Sequence, residues 1–520
     1  MPSSASLKGS QNNNISARRW IAARKLCQYT ALVLFLCLFV VSVRRDLAPG
    51  LVNLPMRIDP LLALAHLLSN RVWLSGPALA LGVVLLTVVF GRAWCGWICP
   101  MGTILDMFSF HRKRKRPLLN NANDRDWRKI KYSLLIAILI AAFLGNLTLL
   151  VFDPLTILFR TLTSSLWPAL DHVVTTVELS LSSVSILEEP VALLDDFIRP
   201  RLLPVEPAPS RAAFLFALIF AGVIVLNLFA PRFWCRYLCP LGALLGMISK
   251  VSLFRRQVGQ ECRGCSLCEL VCPVDTIDSH RNYDSDPSEC TLCLDCLPVC
   301  PRSSIVFTPK LKLAEWREYD PGRRQTLGIL GLTIAGLAFL GADSRTRQFE
   351  SHLIRPPGVD ADTFLSDCIR CAECIRACPT NALQPALLES GLDGFWSPVL
   401  IPRLGYCDYS CNACGQICPV QAIPPLGLED KRKQVIGKAY IDQNRCIAWS
   451  DHVDCIVCEE MCPLPKKAIT LHVEERLQED GEISKVQLPR VDRQLCIGCG
   501  ICEYKCPVAG EAAIRVYRPA

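Results

Sequence analysis

The first half of the chain alternates long apolar runs with short basic ones. Four apolar stretches run from Leu26 to Val43, Leu74 to Phe90, Ile130 to Phe152 and Ala212 to Ala230. Each approaches the roughly 20 helical residues needed to cross a hydrocarbon core about 30 Å thick. Arg18, Arg19, Arg24 and Lys25 precede the first stretch, HRKRKRP (111–117) follows the second, and Lys250, Arg255 and Arg256 follow the fourth. The positive-inside rule puts all three basic groups in the cytoplasm and both connecting loops outside. The pattern predicts an α-helical membrane domain over residues 1–250, built as two helical hairpins.

The hairpins repeat each other. RAWCGWICPMGTIL (92–105) aligns with RFWCRYLCPLGALL (232–245), and DPLLAL (59–64) aligns with DPLTIL (153–158). Repeats of parallel orientation place both C-x3-C-P motifs at the same depth, so Cys95 and Cys99 should meet Cys235 and Cys239 at the cytoplasmic edge. Four thiolates there could hold a 4Fe-4S cluster; the competing reading is a set of redox-active or structural thiols. Each DPL suits a helix start, with Asp as N-cap and Pro at the first helical position. Asp59 and Asp153 are also candidate proton acceptors for a quinol bound near the outer face.

After residue 250 the apolar runs give way to cysteine groups. CRGCSLCELVCP (262–273) and CTLCLDCLPVCP (290–301) are C-x2-C-x2-C-x3-C-P runs of the bacterial two-cluster type. Three cysteines of such a run hold one cluster and the fourth holds the other. One set is therefore Cys262, Cys265, Cys268 and Cys300; the other is Cys290, Cys293, Cys296 and Cys272. Zinc ribbons use separated C-x2-C pairs, and a disulfide framework does not suit a cytoplasmic segment. Residues 251–315 are expected to form a cytoplasmic two-cluster ferredoxin domain.

DPGRRQTLGILGLTIAGLAFLGAD (320–343) carries Arg323 and Arg324 before a shorter apolar run. Residues 316–345 read equally as a twin-arginine, signal-like segment or as a fifth span, with a potential cut near Ala342. Either reading sends residues 346–520 outside. Four more cysteine groups follow. CIRCAECIRACP (368–379) and CIGCGICEYKCP (496–507) have ferredoxin spacing, whereas CDYSCNACGQICP (407–419) and C-x8-CIVCEEMCP (446–463) widen only the first gap. Sixteen cysteines make four clusters, which supply folding energy where little conventional core exists.

Composition narrows the class. Of 30 cysteines only Cys27 and Cys37 fall outside these motifs, both in an apolar run where no role is assigned. Hydrophobic residues make up 51% beside 20% charged ones, a balance that suits membrane spans joined to polar domains. The net charge of +8 comes from topology-setting clusters, so nucleic-acid binding is not expected. Seven histidines, none paired between spans, argue against haem b. No phosphate loop, dinucleotide fingerprint or nucleophile motif points to a soluble metabolic enzyme.

Motif order then carries a resemblance over nearly the whole chain. Residues 1 to about 315, with four apolar stretches, two C-x3-C-P motifs and a two-cluster ferredoxin, resemble the NapH-type membrane subunit associated with periplasmic nitrate reductases. Residues from about 320, with the twin arginine, LIRPPG (353–358) and four cysteine groups, resemble the NapG-type ferredoxin. The resemblance implies α+β ferredoxin domains of the bacterial 4Fe-4S type joined to the helical domain. It also implies a quinol dehydrogenase of the bacterial inner membrane that passes electrons from the quinone pool to a periplasmic redox partner, without flavin. Departing from the family, the two subunits here form one polypeptide. Similarity to four-cluster ferredoxins implies nested pairing: Cys368, Cys371, Cys374 with Cys506; Cys496, Cys499, Cys502 with Cys378; Cys407, Cys411, Cys414 with Cys462; Cys446, Cys455, Cys458 with Cys418. Spacing alone also admits adjacent pairing. Two other functions stay open: an outward conduit from a cytoplasmic donor, and a redox-sensing or maturation factor for a periplasmic reductase.

Overall fold

The computed structural model describes residues 4–42, 49–71, 78–109, 121–183, 188–198, 209–309, 353–360, 363–477 and 483–518, together with positions 327, 328, 331 and 335. Most of the twin-arginine segment, the Ala342 position and the basic 111–117 stretch lie outside the described residues. The packing groups the chain into two units. One comprises residues 1–39, 54–158 and 217–337; the other comprises 40–53, 159–216 and 338–520.

The first unit is built on helices. Among the described residues one helical stretch, Ser16–Val41, is long and apolar enough to cross a membrane by length and composition. The other expected spans are shorter or interrupted. Ala78–Phe90 and Ala213–Val225 are helices of 13 residues each, the latter tightening into a 3-10 turn at Leu226–Leu228. The expected stretch from Ile130 to Phe152 breaks: helix Asn121–Phe143 starts earlier in charged sequence and ends before Gly145, whose φ of +81° leaves the helical region. Asn146 then accepts a bond from the Thr148 amide and a 3-10 helix covers Thr148–Phe152.

Both copies of the repeat fold alike. Asp59 caps Pro60–Asn70 by accepting bonds from the Leu61 and Leu62 amides, and Asp153 caps Pro154–Thr161 through the Thr156 amide at 2.9 Å. In each cysteine motif a bond spans five residues, from the Cys99 amide to the Trp94 carbonyl (3.0 Å) and from the Cys239 amide to the Trp234 carbonyl (2.9 Å). Each second cysteine is then extended, with φ, ψ of −60°, 118° at Cys99 and −71°, 110° at Cys239. That backbone suits a residue preceding proline, and Pro100 and Pro240 open new helices, Pro100–Met107 and Pro240–Ser249. The chain then leaves the helices and forms a small α+β module. Phe254–Val258 pairs antiparallel with Ile305–Pro309, Arg256 opposite Phe307, and Ile277–Asp278 pairs with Asp284–Ser285.

In the second unit Leu383–Pro385 pairs with Pro398–Leu400, Lys438–Ile441 with Ile514–Tyr517, and Ile469–Leu477 with Ile483–Val491, all antiparallel. LIRPPG is built into this framework: the Ile354 carbonyl accepts from the Leu400 amide, and Arg355 is buried over Phe364 while donating to Ser397 and Pro398. Its cores are small and cysteine-rich. One gathers Ile375, Leu383, Leu400 and Ile423 around the first two cysteine groups; another gathers Ala439, Ile469 and Ile514 around the last two.

Candidate iron-sulfur sites

The cysteine loops share a backbone device that their spacing does not reveal. In the four loops with regular C-x2-C-x2-C spacing, the residues on either side of the second cysteine are left-handed. They are Gly264 and Ser266, Leu292 and Leu294, Arg370 and Ala372, and Gly498 and Gly500, with φ between +48° and +84°. Outside glycine this conformation costs about 1–2 kcal/mol per residue, so something must hold it. Successive turns of this kind point backbone N–H groups into a concave anion site. A buried, negatively charged cluster bound by three thiolates of the loop is such an anion. After the fourth cysteine four groups turn sharply again, with Asp275, Ser303, Asn381 and Gln421 left-handed and each amide bonded back to that cysteine's carbonyl at 3.2–3.3 Å.

Cysteines ring cavities rather than converging on a point. Among the described residues no three Cys, His, Asp or Glu side chains lie close enough to share one metal ion. Zinc would need sulfurs about 2.3 Å from a common centre. Cys262, Cys265, Cys268 and Cys300 instead line one pocket with Tyr283 and Arg256, as their spacing predicts. In the companion set burial first, and then Cys272, push Cys290 up to about 11, and Cys272 acts likewise on Cys293 and Cys296. Cys272 thus sits with Cys290, Cys293 and Cys296.

In the second unit the nested pairing is not what the chain forms. A second pocket is lined by Cys446, Cys455, Cys458 and Cys506, so Cys506 has left the 368 group and Cys418 the 446 group. Cys418 instead joins Cys368, Cys371 and Cys374: after burial, its charge acts on Cys371 and Cys374. Cys378 joins Cys407, Cys411 and Cys414, and raises the first and last of these. Cys462 packs against the core that holds Cys496 and Cys502. The reason is packing. The first and second groups share one apolar core, the third and fourth another, and each core exchanges fourth cysteines only within itself. Pairing is adjacent.

The two C-x3-C-P motifs come together as the repeat predicts. Cys95, Cys99, Cys235 and Cys239 are all buried. Burial first, then their mutual charge, raises Cys99 and Cys239, and burial raises Cys235 to about 11. The arginines that open the two motifs cross over. Arg232 donates to the Cys95 carbonyl and pairs with Asp106, while an Arg92 nitrogen lies 2.7 Å from where a Cβ on Gly242 would stand. A side chain there would displace the Arg92 guanidinium. Asp106 is correspondingly held below the usual carboxylate range by Arg232, against its burial.

Sequence reasoning missed what ties this site to the inner ferredoxin module. Glu289, next to Cys290, accepts from Lys131 at 2.6 Å through both carboxylate oxygens, from Arg92 at 3.0 Å and from the Tyr132 hydroxyl at 3.2 Å. Trp97 donates to the Leu292 carbonyl, and a Cβ on Gly96 would stand 2.1 Å from the Thr291 carbonyl oxygen. Arg232 also feels the charge of Cys293. The 290 loop therefore lies directly against the four-cysteine site.

Asp59 and Asp153 also meet, which the repeat alone did not foretell. Both are buried, and the Asp153 carboxyl lies close enough for its charge to act on the Asp59 carboxyl. Burial first, then the charge of Asp153, pushes Asp59 well above the usual carboxylate range. Two carboxyls facing each other in a buried site disfavour the doubly ionised state.

Comparisons with known proteins agree with this chemistry. Three protein-family models, each described as a 4Fe-4S binding domain, match residues 72–118 with 212–259, residues 488–514 and residues 364–384. The ferredoxin-type protein NapG of Escherichia coli K12 is 34% identical over 206 residues, covering 38% of this chain and 85% of that protein. The chain belongs to the NapG/MauM family of ferredoxin-type proteins. The methylamine utilization ferredoxin-type protein MauM of Methylorubrum extorquens is likewise 34% identical, over 38% of this chain and 89% of its own. An uncharacterized Methanocaldococcus jannaschii protein is 24% identical over 44% of the chain. No solved structure matches. The chain is accordingly an iron-sulfur electron-transfer protein that carries 4Fe-4S clusters.

Proposed function

We propose that the chain is a membrane quinol dehydrogenase in which a NapH-like half and the NapG-like half are fused. It lies in a bacterial inner membrane, with the N-terminus and residues 251–315 on the cytoplasmic side and residues 346–520 in the periplasm. The observation that carries this reading is the four-cysteine site: Cys95, Cys99, Cys235 and Cys239, buried within residues matched as a 4Fe-4S binding domain and pressed against the Cys290 loop. Large apolar side chains left exposed on the helices, such as Leu85 at 64% and Phe214 at 81%, favour a hydrocarbon surround over water.

Oxidation of one quinol releases two protons and two electrons. The Asp59–Asp153 pair takes a proton at a carboxylate oxygen, and the capping amides of Leu61, Leu62 and Thr156 hold both side chains in place as it does so. Bound 4Fe-4S clusters supply one-electron carriers, which split the pair of electrons into single transfers. Six ferredoxin-type sets correspond to about 24 iron atoms, and a cluster at the C-x3-C-P site raises this to about 28. The recipient is an external redox protein.

A purified, full-length preparation mixed with a short-chain quinol should bleach its cluster absorbance in a cyanide-insensitive reaction. If dithionite bleaches the clusters but no quinol analogue does, the quinol reading is wrong. One observation favours a second direction of supply: Cys262 and Cys265 are exposed at their pocket, which suits exchange with a soluble cytoplasmic donor. Reduction by such a donor, without quinol, would select that conduit reading. A maturation role would instead show as a partner that loses its cofactor when this gene is deleted.

A further inference from the structure

The adjacent pairing has a consequence for the order of the four cysteine cages in the second unit. The 368 cage (Cys368, Cys371, Cys374, Cys418) and the 407 cage (Cys407, Cys411, Cys414, Cys378) flank one apolar core, against which Cys368, Cys374, Cys407 and Cys414 all pack. The 496 cage (Cys496, Cys499, Cys502, Cys462) and the 446 cage (Cys446, Cys455, Cys458, Cys506) are joined in the same way, with Cys458, Cys496, Cys502, Cys462 and Cys506 on one core. The two pairs meet through their middle members. The Cys407 amide donates to the Cys499 carbonyl at 2.8 Å, the Ile436 amide donates to the Ile497 carbonyl at 3.0 Å, and the Tyr406 and Tyr504 rings lie 5.5 Å apart.

The two ends of this row differ. On the side of the first two cages, Val52 packs on Ala377 and Ile417, Asn53 donates to the Ile417 carbonyl at 3.1 Å, and the Arg376 guanidinium lies 4.4 Å over the Trp167 ring. Ala377 and Ile417 each directly precede a cysteine of the first two cages, Cys378 and Cys418. These contacts come from residues 40–53 and 159–216, the loops between apolar stretches. At the 446 end the pocket is walled by Ile441, Ile447, Val457, Pro489 and Val508, and Val453 and Ile456 beside it are exposed.

We propose that the four cages stand in single file, 368–407–496–446, with the 368 cage as the intake beside the loops of the membrane half and the 446 cage as the outlet to the external partner. The x8 insertion in the 446 group belongs to this outlet, since it supplies Ile447 to the pocket wall and the exposed Val453, whose amide donates to the Ile447 carbonyl. This order rests on the cluster-binding reading of the cages but not on quinol as the donor.

The test is magnetic. Neighbouring reduced clusters couple, so EPR spectra of the dithionite-reduced, full-length protein read which cages adjoin. Cys411→Ala, which loses about four iron atoms, should leave the 368 signal uncoupled while the 496 and 446 signals stay coupled. Cys455→Ala should leave the 368, 407 and 496 signals coupled as before. If the 368 signal stays coupled in the first variant, or becomes uncoupled in the second, the single file is overturned. If Cys411→Ala does not fold, Cys455→Ala alone decides. Absence of iron from the cages of the intact protein would sink the reading beneath the proposal, and the proposal with it.

Discussion

Removing the charge of Glu289 tests whether the inner ferredoxin is locked to the helices. In Glu289→Gln the volume and one hydrogen-bonding oxygen survive, but Lys131 and Arg92 lose their counter-ion. Both cations are nearly inaccessible, with side-chain exposures of 0% and 2%, and Glu289 itself is at 6%. Breaking a buried pair by neutralising one partner costs about 3–5 kcal/mol, because the remaining charge is stranded without water. Burial alone would raise the Glu289 carboxyl, yet Lys131 and Arg92 pull it down to about 2, the direction expected if the anion is the bound form. For a unit of this size each kcal/mol moves the melting temperature by about 2–4 °C, so a drop of roughly 6–20 °C is expected. The assay is thermal unfolding in detergent, followed by cluster absorbance and by proteolysis within residues 251–309. Glu289→Gln combined with Lys131→Met should recover part of the loss, since both ends of the main pair are then neutral. A single variant that melts with the wild type would refute the lock, as would a double variant less stable than the sum of its parts.

Other expectations follow from the same geometry. Gly96→Ala puts a methyl where the Thr291 carbonyl now lies; about 1–3 kcal/mol of overpacking is expected, read as faster proteolysis of the inner module. Asp59→Asn keeps the cap geometry but removes one of the two carboxyls, so quinol-driven bleaching should slow roughly hundredfold with melting unchanged; an unchanged rate would count against the carboxylate pair. Asp106, lowered by Arg232, adds stability above the ordinary carboxylate range that is lost as pH falls through its depressed value; Asp106→Asn should abolish that part of the acid sensitivity in a melting series. Burial lowers Arg376 to about 10, and Trp167→Ala removes the ring beneath it, which should cost about 1 kcal/mol in thermal melts without changing the iron content.

Local chemistry in this chain was largely legible from spacing. C-x2-C-x2-C-x3-C-P dictates three thiolates on one turning loop and a fourth sent elsewhere, because proline after the last cysteine ends the loop. That rule gave the Cys262–Cys300 and Cys290–Cys272 sets directly. The duplicated RxWC…CP motif likewise pointed to Cys95, Cys99, Cys235 and Cys239 together, since two copies of one motif tend to pack as counterparts. Spacing cannot say which distant loop receives a fourth cysteine. Cys418 and Cys506 follow the same C-P pattern and differ only in which apolar core their neighbours enter. That choice, and with it the single file, belongs to tertiary packing. The same holds for Glu289, which looks like an ordinary surface acid beside Cys290 until Lys131 and Arg92 close on it from other segments. Asp59 and Asp153 read separately as helix caps, and only the fold brings their carboxyls into one buried pair. Sequence determined the cysteine loops because those depend on neighbours along the chain. The pairings, the lock and the carboxyl pair depend on neighbours in space.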